Sequence, residues 1–176
     1  MVIRSLFQLV LFCWLGAAGR SPVSAEKAAA ETAAAETTAA DKPAPRAAAR
    51  PMADIPREIL FFVNEFRRKK GLPALQANSY ISSVALGHSR DMLTGKSPFG
   101  HDGFRKRIDL ISGRLGKLHV AAENVASGPM DAREVVDGWL HSPGHRRNIV
   151  GDFQLTGIGV AEAPNGMIYF TQIFVK

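Results

Sequence analysis

Apolar residues recur at helical spacing in several stretches of this chain and at strand spacing towards its end. Ile59, Phe62, Val63 and Phe66 fall at i, i+3, i+4 and i+7, which predicts a helix from about Pro56 to Lys70 with one apolar face. Asp54 stands where that helix needs a cap, and Gly71 occupies the usual C′ position. A second helix, capped by Asn78, repeats the spacing with Ile81, Val84, Ala85, His88 and Met92. His88 therefore lies on a buried stripe, either as a satisfied core residue or lining a cavity. A loop over residues 97–103 carries His101, and a short helix around Phe104 to Ile111 offers Arg107 as a structural anchor. Leu118 to Val125 reads as a strand interrupted by the polar pair Glu123-Asn124. Asp131 and Glu134 form a capping arrangement for a helix that buries Val135, Val136, Trp139 and Leu140. Ser142 and Pro143 suit the cap and first position of a further turn carrying His145. Two strands, Thr156 to Ala163 and Met167 to Val175, flank Asn165-Gly166, the signal for a two-residue hairpin turn. That turn sets Gly159 opposite Gln172 and Gly157 opposite Phe174, leaving room for large side chains or for something bound. Helices with an antiparallel hairpin and one more strand indicate an α+β fold in which helices cover a sheet.

The N-terminal third departs from this pattern. Arg4, an apolar run from Leu6 to Leu15 and small residues ending at Ala25 read as a secretory signal peptide over residues 1–25. The run falls short of the ~20 apolar residues a membrane helix needs, so no stable membrane span is expected after cleavage. Cys13 lies inside this segment, and Phe12 before it does not suit a lipoprotein cleavage site. The mature chain then lacks cysteine, which is ordinary for an exported bacterial domain. Residues 26–52, rich in Ala, Thr and Pro, cannot bury enough surface to offset ordering and read as a disordered linker. Residues 53–176 remain as one domain. A secreted or periplasmic monomer is the expectation.

The formal net charge is +6. Much of the excess comes from Arg67-Arg68-Lys69-Lys70 at the end of the first helix, where cations offset the macrodipole. The first reading is a solvated helix end; the second is attraction to an anionic envelope polymer. No aromatic residues interleave with these charges and no nucleic-acid motif occurs, which excludes nucleic acid as a partner.

The succession Ala85…His88-Ser89-Arg90-Asp91-Met92, Phe99-Gly100-His101, Ala122-Glu123-Asn124-Val125-Ala126 and Trp139…Ser142-Pro143-Gly144-His145-Arg146-Arg147-Asn148-Ile149 resembles the CAP superfamily. These are the cysteine-rich secretory, antigen 5 and pathogenesis-related proteins, also called SCP-like. The closer similarity is to the bacterial branch, and it covers Ile55 to Val175. The resemblance implies a three-layer α-β-α sandwich with a central antiparallel sheet and a cleft. In animal and plant members that cleft holds two histidines and two glutamates. The first pair carries over onto His101 and Glu123. The second pair falls at Ser142 and at Tyr169, before Phe170-Thr171-Gln172, where this sequence departs from the pattern. The bacterial pattern offers His145 instead.

The resemblance thus implies a cleft lined by His101, Glu123, His145, Ser142, Tyr169, Gln172 and His88. His101, Glu123 and His145 are chemically sensible ligands for a divalent metal such as zinc, with water in the fourth position. The same three residues could instead form a hydrogen-bonded cluster or an acid/base pair. No Gly-x-Ser-x-Gly elbow or His-Glu-x-x-His motif occurs. Two function classes stand. The leading one is a secreted binding or interaction module, not an enzyme, accepting a small apolar molecule, a peptide or an envelope component. The alternative is a metal-dependent hydrolase of the cell envelope.

Overall fold

The computed structural model describes residues 52–176. Helix α1 spans Ile55–Lys69 and α2 spans Ser79–Leu93, with the two-residue strand β1, Gln76–Ala77, between them. Helix α3, Phe104–Leu115, leads into β2, Ala121–Gly128. Helices α4, Ala132–His141, and α5, Pro143–Ile149, precede the hairpin of β3, Leu155–Glu162, and β4, Ile168–Val175. Among the described residues the sheet has the order β1-β3-β4-β2, with β1 parallel to β3 and the other pairs antiparallel. One core cluster packs α1, α4 and α5 against one sheet face through Ile59, Val63, Trp139, Ile149, Phe170 and Phe174. A second joins α2 and α3 to the other face through Ile81, Ala85, Ile111, Ile173 and Val175. The expected three layers are present. No helix among the described residues is long and apolar enough to cross a membrane.

The helix ends follow local chemistry, with exceptions. Asn78 accepts from the Ile81 amide, and Asp131 and Glu134 form the complete capping box. Asp54 holds the N-cap position of α1 without a side-chain cap bond and pairs with Arg57 instead. Ser142 likewise caps α5 by position only; its backbone carbonyl accepts from Arg146, and its hydroxyl makes no cap bond. Gly71, at φ 69°, turns the chain so that the Leu72 amide reaches back to the Arg67 carbonyl, the Schellman closure. Met52, at the expected linker boundary, packs on the first core cluster. The expected signal peptide and the rest of the expected linker lie outside the described residues.

Two expectations change. The hairpin is one residue out of the predicted register: Gly159 faces Thr171 and Gly157 faces Ile173. Ala163 and Met167 still pair, so the loop is the three residues Pro164-Asn165-Gly166, with Gly166 at φ 80°. Proline at the first loop position favours a type I turn, and the glycine after it takes the left-handed place. Both strand glycines are filled by backbone. A Cβ at Gly157 would lie 2.2 Å from the Ser82 nitrogen, and one at Gly159 would lie 2.0 Å from the Leu86 nitrogen. The glycines let α2 lie directly on β3.

Arg67 is the second change. It is 1% exposed and belongs to the buried face of α1, not to a solvated end. Its Nε donates to the Pro73 carbonyl at 2.8 Å, and one terminal nitrogen donates to Ile149 and Gly151 at 2.8 and 2.9 Å. Burial lowers its pKa, with Asp152 acting in the opposite sense.

Candidate functional site

Glu123 is the hub of a polar cluster on the α2–α3 face of β2. Alternation along a strand points Glu123 and Val125 to that face and Asn124 to the other. The Glu123 side chain is 2% exposed. Arg107, from the buried side of α3, grips it with both prongs: Nε to Oε2 at 2.8 Å and the terminal nitrogen to Oε1 at 2.6 Å. The other terminal nitrogen of Arg107 donates to the Asp102 carbonyl at 2.7 Å, fixing the loop that carries His101. His101 Nδ1 lies 3.0 Å from Glu123 Oε1. The carboxylate can only accept, so Nδ1 holds the proton, and a neutral His101 keeps its lone pair on Nε2. Half of the His101 side chain, 51%, is exposed.

His88 closes the cluster from α2. It is 3% exposed, donates from Nε2 to the Gly100 carbonyl at 2.8 Å and sits 4.0 Å from Glu123 Oε1. Burial lowers its pKa most; the Gly100 carbonyl and Glu123 oppose that shift, and Arg107 and His101 add to it. It is a satisfied buried histidine that also reaches a cavity of about 510 Å³ between α2 and α3. Arg107, Lys96, Asp102 and Leu110 share that lining, whereas His101, Glu123 and His145 do not.

His145 arrives around the open edge of the sheet. β2 is the last strand, and α4 and α5 cover its edge. Asn148 donates to the Glu123 carbonyl at 3.1 Å and to Asn124 Oδ1 at 2.8 Å. Asn124 in turn donates to the His145 carbonyl at 3.2 Å. Trp139, 2% exposed, directs its indole N–H at the Val125 carbonyl, 3.4 Å away. These contacts occupy edge groups of β2 and set the half-buried His145 where it interacts electrostatically with His101. Its pKa is lowered, by burial first and by His101 second.

The remaining expected site residues lie elsewhere. Tyr169 shares the Glu123 face but pairs with Ser127, four residues along β2, roughly 13 Å away at strand rise. Gln172 pairs with Asn124 on the opposite face, fully buried, and donates to Thr156 Oγ1 at 3.2 Å. Its Oε1 is the buried side-chain polar atom left without a partner among the described residues. Ser142 sits at the junction of α4 and α5. Among the described residues, no three His, Cys, Asp or Glu side chains come together in a group that could hold a metal ion. His101 and Glu123 touch, but the carboxylate already serves Arg107. The roles of Asn124 and Asn148 were not singled out in the sequence, because no spacing rule links residues that meet across a strand edge.

The CAP profile, described as the cysteine-rich secretory protein family, matches residues 60–174. The chain is 35% identical over 125 residues to the uncharacterized membrane protein YlbC of Bacillus subtilis, covering 68% of this chain and 34% of that protein. It is 32% identical over 122 residues to the uncharacterized protein YkwD of the same organism, covering 68% and 47%. The chain thus spans less than half the length of these curated relatives. Among solved structures it is similar to an extracellular SCP-domain protein of Bacillus anthracis, with TM-score 0.62, 28% identity and coverage of 70% and 41%. A cysteine-rich secretory protein of Staphylococcus aureus aligns with TM-score 0.56, 25% identity and coverage of 72% and 41%. An outer surface protein of Borrelia burgdorferi, at 20% identity and TM-score 0.58, covers 68% of this chain and 90% of that one and shares the fold. On its profile match and its α-β-α architecture, the chain belongs to the CAP family.

Proposed function

We propose that this chain is a secreted binding module whose recognition point is the exposed imidazole of His101 together with the neighbouring His145. One observation carries the reading: Glu123 is buried and held through both oxygens by Arg107 and His101. A bidentate, desolvated pair of this kind resists removal of either partner. The carboxylate therefore positions His101, and the imidazole Nε2 is the group offered outward. A peptide or envelope component with a hydrogen-bond donor suits that acceptor better than a purely apolar molecule. The likeness to extracellular and outer-surface proteins supports an extracytoplasmic location.

The test is native mass spectrometry of the exported protein and of its His101→Ala and His145→Ala variants. A co-purifying species present in the parent and depleted in both variants is the expected result. Full retention by both variants overturns the reading. Stoichiometric zinc that is lost on chelation, together with turnover of an envelope substrate, replaces it with a hydrolase.

A further inference from the structure

We propose that the joined ends of α1 and α5 form a docking ridge for a linear polyanion bearing phosphate groups. Arg68-Lys69-Lys70 and Arg146-Arg147 are far apart in sequence, and all five are exposed. The fold brings them together through Arg67, whose guanidinium ties the end of α1 to the Ile149 and Gly151 carbonyls at the end of α5. Phe66 marks the junction: Lys70 Nζ lies 5.6 Å from its ring centroid and the Arg146 guanidinium 5.5 Å. Both cations share this one ring, whose electron-rich face offsets part of the repulsion between like charges. Phe66 and Lys70 are one helical turn apart on α1, and the tertiary fold adds Arg146 from α5 to the same ring.

Charge complementarity selects the occupant. Glu65, the last acidic residue of α1, pairs with Lys69 at 3.3 Å, and Asp152, which also acts on Arg67, pairs with Lys176. The ridge therefore keeps an excess of positive charge for an anion. Phe66 is half-buried under its cations and offers no apolar side chain for insertion. Phe61, which is 61% exposed, has Arg57, Glu58, Asn64 and Glu65 as its helix-face neighbours, a mixed set and not the ring of cations that would seat it in an anionic bilayer. A narrow basic ridge without an apolar anchor suits a flexible chain of phosphates better than a lipid surface. Each cation that neutralises a phosphate releases a counterion, so binding should weaken steeply with salt.

The experiment measures binding of the full chain to long-chain inorganic polyphosphate across a salt series. Phosphatidylglycerol and phosphatidylcholine vesicles serve as separate probes. The Lys70→Glu/Arg146→Glu variant should lose about tenfold or more in affinity and show a shallower salt slope. An Arg105→Glu/Lys106→Glu variant on α3, with the same change in net charge, should lose far less. A milder Lys70→Gln/Arg146→Gln variant, checked by circular dichroism, guards against misfolding and should fall between them. His101→Ala should bind polyphosphate as the parent does, which separates this surface from the proposed His101 site. Equal losses in the ridge and α3 variants would overturn the ridge in favour of overall charge. Binding to phosphatidylglycerol vesicles without binding to polyphosphate, or to neither probe, would overturn it as well.

Discussion

His88 shows how a single titrating group is bound to the packing around it. It faces Arg107, Glu123 and His101 and sits at 3% exposure, so protonation would place a further cation in a buried cluster. Its pKa is lowered from the ordinary 6.5, chiefly by burial, and that of His145 is lowered for the same leading reason. In the unfolded chain both histidines take up protons near pH 6.5, whereas in the folded protein they do so only at lower pH. Between the two values the unfolded state binds more protons, so stability is full above about pH 6.5 and falls as pH drops below it. The limiting slope is about 1.4 kcal/mol per pH unit for each proton. Denaturant unfolding at steps from pH 7.5 to 5.5 should show this decline, and His88→Gln should flatten it. An unchanged slope in that variant would assign the decline to other groups. Placing His88 on the buried stripe needed only helical periodicity. That its neighbours are Arg107 and Glu123 did not follow from periodicity, because those contacts cross three elements.

Among the elements, α2 and β3 depend most on close approach. The glycines at 157 and 159 were visible in the sequence, but their purpose depends on a register that the turn decides. With Pro164-Asn165-Gly166 as a three-residue loop, both glycines face α2, whose backbone fills the space a side chain would need. A Cβ at 159 would lie 2.0 Å from the Leu86 nitrogen and 2.3 Å from the Ala85 carbonyl carbon. Backbone cannot swing aside as a side-chain tip can. Gly159→Ala should therefore cost about 3 kcal/mol or more, at the upper end of overpacking penalties. A melting temperature within a degree or two of the parent would show that α2 can move off the sheet. Arg67 gives the converse lesson. Its place in a four-residue basic run suggested solvent, yet its helical position one turn beyond Val63 puts it on the buried stripe, where carbonyls satisfy it.

At the scale of the whole molecule, the site depends on how α5 closes the edge of the sheet. Asn148 binds the Glu123 carbonyl and Asn124, and Asn124 binds the His145 carbonyl, so one latch carries His145 to the strand that holds Glu123. Asn148→Ala should loosen α5 and cost on the order of 1–3 kcal/mol, from the bonds lost and the Glu123 carbonyl left partly unsatisfied. The same variant should weaken the electrostatic influence of His101 on His145. NMR titration would then show the His145 pKa moving up towards its ordinary value. A His145 titration identical to that of the parent would mean that α5 is held by its core residues, Ile149 above all. The helices, their caps, the buried tryptophan and the α+β class follow from local rules of spacing and capping, and so were determined by the sequence alone. The order and spacing of the motifs were enough to indicate the family. The tertiary structure decided the hairpin register, the burial of Arg67, the capture of Glu123 by Arg107 and the union of two basic runs around Phe66. Each of these arises where chain segments far apart meet, and the geometry of that meeting is set by packing across the sheet rather than by any one segment's pattern.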